Sequence, residues 1–111
     1  MTPTVRRFTT GANDHSVQLA EGLIWVTPAV EASEGGPLSA YGASFGRGER
    51  ADLPAPYEEV WAVMRGRLRV ISGRTILTVQ AGEFLHVPEN SPGEIEAIEE
   101  TELVCVSVPA H

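Results

Sequence analysis

The stretch Tyr57 to Pro92, YEEVWAVMRGRLRVISGRTILTVQAGEFLHVPENSP, sets the limits on the fold. Val60 to Met64 is a β-prone run that follows an acidic pair, Glu58 and Glu59, and meets a turn at Gly66. Arg67, Leu68, Arg69 and Val70 alternate charged and apolar, the period-2 mark of a half-buried strand. Ser72-Gly73-Arg74 is turn chemistry and Thr75 to Gln80 is a second β-rich run, so the two runs predict a hairpin. Ala81-Gly82 turns the chain into Phe84 to Val87, and Pro88, which has no N–H for a ladder, ends that strand. Short strands at close spacing, punctuated by Gly and Pro, predict an all-β sandwich or barrel.

The flanking chain fits the same plan. Val5 to Thr10 is expected as a short edge strand, and a few helical residues are expected around Asp14 to Leu19. Leu23 to Val26 is a continuous apolar run, suited to a strand buried on both faces. Thr27 to Pro37 has loop composition. Leu38 to Arg47 places Tyr41, Ala43 and Phe45 at period 2 and reads as a strand, bent by Gly46-Arg47-Gly48. Asp52 to Pro56 is too rich in proline for a regular central strand. Glu94 to Ile98 and Glu102 to Val108 are expected strands, the last apolar on both faces. With no repeat or linker, the 111 residues read as one domain, 1–111. A domain of this size buries roughly two-thirds of its unfolded surface and needs no disulfide or metal to fold.

Charge narrows the partners. A formal net charge of −7 repels phosphate backbones, so nucleic acid is not an expected partner. The first residues hold no apolar leader and no stretch is long enough to cross a bilayer, so no membrane partner is expected and the cytoplasm is the expected location. The single cysteine, Cys105, excludes an internal disulfide and reads as a small buried core residue within LVCVSV. Runs apolar on both faces need cover outside the barrel as well as within, which predicts a homodimer.

Two spacings carry a family resemblance. Glu59, six residues and then Gly66 matches the end of the first cupin motif. Gly82, five residues and then Pro88 matches the start of the second, with 15 residues between the two half-motifs. The region from about 38 to 108 resembles the cupins, which implies an all-β, single-domain cupin, a double-stranded β-helix or jelly-roll barrel. The family pattern HxHxxxE would place histidines at Leu53 and Ala55, and the second motif would place a glycine at Asn90 and a histidine at Gly93. Of the four usual ligand positions Glu59 alone keeps a ligand, so no metal site and no cofactor are expected. Within the cupins, Tyr57-Glu58-Glu59, Val63 to Gly66, Gly82-Glu83, Val87-Pro88 and Val106 to Ala110 resemble the ethanolamine-utilisation EutQ-like group, which also lacks these histidines. That likeness implies an acidic pocket and a link to amine or acyl metabolism. The acetate-kinase-like activity attributed to the group is not carried over, because the chain has no Gly-rich phosphate loop.

The resemblance points Glu59 into the barrel, and strand parity then gives Tyr57, Trp61 and Val63 the same face, about 7 Å apart at i and i+2. Glu59 is the candidate base, with Tyr57 and His86 as candidate partner acids; parity of His86 with Phe84 suggests an inward direction. Tyr41, Trp61, Arg47 and Glu49 are candidate ligand contacts. The plain alternative is that Glu59 pairs with Arg47, Arg50 or another inward cation and ties strands together. His15 reads as a loop residue and His111 as a free terminus. The acids from Glu94 to Glu102 read as a solvated face, with surface salt bridges to Arg65, Arg67, Arg69 and Arg74. Three functions stay open: proton transfer of isomerase, cyclase or lyase type on a small neutral or cationic molecule; a non-catalytic metabolite-binding or scaffold cupin of an ethanolamine-utilisation-type pathway; and a metal-dependent cupin using Glu59 and His86.

Overall fold

Gly and Pro punctuation carries through into the computed structural model, which describes residues 2–19, 22–53 and 56–111. Ten strands form among them: β1 (Val17–Gln18), β2 (Ile24–Val30), β3 (Ser39–Phe45), β4 (Arg50–Leu53), β5 (Glu58–Arg65), β6 (Arg67–Ser72), β7 (Thr75–Gln80), β8 (Phe84–Val87), β9 (Gly93–Ala97) and β10 (Thr101–Val108). One 3-10 turn, Ala32–Glu34, links β2 to β3. All pairings are antiparallel and make two sheets, β1-β2-β3-β10-β5-β8 and β4-β9-β6-β7. From β3 onward the chain crosses between the sheets at each connection except the β6–β7 hairpin, which gives a jelly roll.

Alternation decides what each strand buries. Along β5, Glu59, Trp61 and Val63 are buried while Glu58, Val60 and Met64 face out. Along β10, Thr101, Leu103, Cys105 and Ser107 are buried. Leu68, Val70, Ile95 and Ala97 of the smaller sheet join Phe45, Trp61, Val63 and Leu103 of the larger one in a single core. Each fully buried Leu or Val contributes about 1.5–3 kcal/mol.

Several expectations need correction. A strand not foreseen, β4, begins at Arg50; it lies at a sheet edge and stops at Leu53, in keeping with a proline-rich stretch that is no central strand, and positions 54–55 lie outside the described residues. β2 runs on to Val30, through the stretch expected as a loop. Asp14 and His15 form a turn and Val17–Gln18 a strand, in place of a helical turn. Val5 to Thr10 forms no strand. It crosses outside the larger sheet instead, tied by Arg6 to Glu34 (2.7 Å) and by Thr10 to Glu102 (3.3 Å). The runs read as apolar on both faces are half-exposed: Leu23 is 59% exposed and Val108 52%.

Candidate functional site

Register lines up the inward side chains of β3, β10 and β5 in rows. Ser39, Ser107 and Glu59 make one row, Tyr41, Cys105 and Trp61 the next, and Ala43, Leu103 and Val63 the third. The third row is hydrocarbon. Among these three rows the polar groups lie in the first two, while buried Thr101 at the opposite end is spent on backbone groups of Arg67 and Glu99.

Glu59 is 3% exposed, and its Oε1 accepts two hydroxyl protons. One comes from Ser107 Oγ at 2.6 Å and the other from Tyr41 Oη. No described side chain takes Oε2. Glu59, Tyr41, Trp61, Cys105, Phe45 and Leu53 help to line a cavity of about 260 Å³ inside the barrel. Burial pushes the Tyr41 phenol up from its ordinary 10.0, and nearby Cys105 and the hydrogen bond to Glu59 push the same way. Burial, and then the charge of Glu59, push the Cys105 thiol up from 9.0. At neutral pH the phenol is thus a donor and Cys105 an unreactive thiol. The arrangement fixes one carboxylate oxygen with two hydroxyls and leaves the other free of side-chain partners among the described residues, in a residue that lines the cavity.

The candidate residues divide. Tyr41 and Trp61 line the cavity with Glu59. The Trp61 indole N–H is buried within the wall and has no partner among the described residues. Tyr57 lies just before β5 and stacks on His111, with ring centroids 3.6 Å apart, away from the cavity lining. His86 faces outward, against the parity expected for it: β8 buries Leu85 and Val87, and His86 Nε2 sits 3.0 Å from Glu58 Oε2 on the outer surface. Arg47 and Glu49 lie on the turn between β3 and β4, at the far end of β3 from Tyr41, and neither lines the cavity. Pairing of Glu59 with an arginine is also overturned, since Arg50 bonds Glu96 outside the barrel. Ser107 was missed, although a serine at an inward parity of an apolar run is a core polar group that needs a partner. His111 is not loose: its N–H donates to Ser39 Oγ at 2.9 Å, and its ring meets Tyr41 edge-on at 6.3 Å.

The metal implied by the resemblance does not fit. Leu53, Ala55 and Gly93 stand where imidazoles would be needed. Gly93 has φ +137°, and a Cβ there would lie 1.9 Å from the Ile71 carbonyl oxygen, so this backbone has no room for a histidine. Among the described residues no three His, Cys, Asp or Glu gather as a metal-ligand group. Glu59 and His86 face opposite sides of the larger sheet, which removes the metal reading built on that pair. Asn90, at the motif's glycine position, does adopt φ 60°, a conformation asparagine tolerates.

No protein-family model and no curated protein matches the sequence. Solved structures do. An RmlC-like cupin from Shewanella frigidimarina superposes with TM-score 0.76 at 17% identity, over 96% of this chain and 94% of that one. The chain has the cupin fold. Ethanolamine utilization protein Q from Salmonella typhimurium is similar with TM-score 0.73 at 20% identity, over 79% of this chain and 71% of that one. Ectoine synthase from P. lautus is similar with TM-score 0.79 at 12% identity, over 90% and 72% of the two chains. The cupin motif glycines Gly66 and Gly82 both take positive φ, +86° and +91°, as their turns require.

Proposed function

We propose that this cupin binds a small metabolite in its barrel and that Glu59 exchanges a proton with it, in a step of isomerase, cyclase or lyase type. The observation that carries the reading is a buried carboxylate in a cavity wall, with one oxygen anchored by two hydroxyls and the other without a side-chain partner among the described residues. Tyr41 and Ser107 hold the carboxylate in place and spread its charge, while Oε2 takes the proton. Apolar walls keep bulk water away and strengthen these contacts. Glu59, once protonated, is itself the group that can return the proton, because burial holds the Tyr41 proton on its phenol; Tyr57 and His86 lie elsewhere.

A second reading, a metabolite-binding or scaffold cupin of an ethanolamine-utilisation-type pathway, draws on the likeness to ethanolamine utilization protein Q and on Glu59 being the one inward carboxylate of the cavity lining among the described residues. Both readings include a homodimer, supported by an uncovered apolar sheet face, and a cytoplasmic setting, which rests on the single cysteine. No helix among the described residues is long and apolar enough to cross a membrane.

The test is a metabolite panel screened by thermal shift against wild type and Glu59→Gln. A compound that stabilises the wild type and not the variant supports the site. Turnover that falls about 100-fold or more in the variant supports the enzyme reading. Glu59-dependent binding without turnover selects the second reading. A panel in which every hit also stabilises the variant rejects both.

A further inference from the structure

Glu59 is a buried acid with no counter-ion among the described residues. The chain has no lysine, and its eight basic residues are all arginine. Arg6, Arg50, Arg65, Arg67 and Arg69 pair with glutamates on outer surfaces. Among the described residues no Arg or His lines the barrel cavity. Asp52, at the cavity rim, shares the outward register of Arg50 on β4, so among the described residues Glu59 is the inward carboxylate of the lining. Buried charges are normally paired, and hydroxyl donors alone do not supply a positive charge.

We propose that the cavity's ligand is a small organic cation, an ammonium or amidinium group on an apolar body, whose charge pairs with Glu59 Oε2. This rests on the cavity being the ligand site. The hydroxyl protons of Tyr41 and Ser107 are both committed to Oε1. The Trp61 N–H is buried in the wall. A ligand's own acceptor groups therefore meet no ready donor, which disfavours polyols. A carboxylate or phosphate would face Glu59 with no cation in the lining to hold it. The remaining walls, Ile24, Phe45, Leu53, Ile95 and Leu103, suit a hydrocarbon body. Trp61 and Phe45 add aromatic faces that attract cations.

The experiment is an NMR titration of the 15N-labelled protein with n-butylammonium chloride, 1-butanol and sodium pentanoate. The Trp61 indole resonance is the reporter, told from that of Trp25 by a Trp25→Phe variant. The expected result is butylammonium binding about ten-fold or more tighter than butanol, with pentanoate not binding. Glu59→Gln, checked for folding by its thermal melt, keeps weak butanol binding and loses the preference for the cation. Equal binding of amine and alcohol, tighter binding of pentanoate, or an amine preference that survives in Glu59→Gln overturns the cation class and leaves the cavity as a ligand site. Failure of all three probes to shift the Trp61 resonance overturns both.

Discussion

Glu59 shows how neighbours define a residue. Its carboxylate is held by hydroxyls from two other strands, and each contact should register in stability. Ser107→Ala removes one donor from a buried acceptor and should cost about 1–3 kcal/mol in urea unfolding, as should Tyr41→Phe. The double variant should depart from the sum, because both donors serve the same oxygen. A pH effect belongs here too. The folded chain keeps protons on Tyr41 and Cys105 above their ordinary values of 10.0 and 9.0, where the unfolded chain loses them. The unfolded state then binds fewer protons, so stability is fully present below about pH 9 and falls as pH rises, by up to about 1.4 kcal/mol per pH unit for each group. Tyr41→Phe should lose stability less steeply than wild type between about pH 9 and 11 in thermal melts, and an equally steep loss would contradict the assignment. At this scale the sequence was only half legible. Glu59 and Trp61 follow from parity once one inward residue is known. His86 did not, because a strand of four residues, Phe84–Val87, offers an apolar side chain to either face. The partner of Glu59 was unreadable, since Tyr41 and Ser107 meet it only through pairing of strands far apart in the chain.

Turns control the strands, and two glycines of the cupin motifs differ in what they ask of the backbone. At Gly66 φ is +86°, and a Cβ would lie 2.1 Å from the Glu100 carbonyl oxygen, against the start of β10. At Gly82 φ is +91°, but nothing lies within 4 Å. Gly82→Ala should therefore cost only the left-handed backbone term, about 1–2 kcal/mol. Gly66→Ala adds a clash with backbone that cannot yield, and should cost more than about 3 kcal/mol. Urea midpoints of the two variants check the order, and equal costs would mean the β5–β6 turn moves freely. Turn chemistry was visible at both positions, but which glycine is crowded depends on a strand more than thirty residues later. The same limit explains β4. The prolines after it were legible, whereas its pairing with β9 at a sheet edge is a property of the assembled sheets.

For the molecule as a whole, the two outer faces contrast. The smaller sheet carries ion pairs outward, Arg50 and Arg69 with Glu96 and Arg67 with Glu99, so the acids form a solvated face bridged to arginines, as the sequence predicts. Such pairs contribute little stability but keep that face wet. The larger sheet is mostly apolar outside, with the Glu58–His86 pair beside the apolar residues. The N-terminal segment, with Phe8, Thr9 and Thr10, covers it beside Gly42 and Val104. Beyond that cover, Val60, Met64, Phe84 and Val108 are 44%, 54%, 72% and 52% exposed. They surround half-buried Ala62 and Val106 on adjoining strands, a continuous patch of the kind that marks an interface. A homodimer closing this patch about a two-fold axis, burying about 800 Å² per partner, is the expected assembly. Sedimentation should show a dimer at micromolar concentration, dissociated by Phe84→Glu with little change in the monomer's own stability. Ile76→Glu, an equally exposed apolar site on the other sheet at 67%, should leave the dimer intact. A wild-type monomer, or a dimer broken by Ile76→Glu and not by Phe84→Glu, would place the interface elsewhere and leave the β5–β8 face to another use.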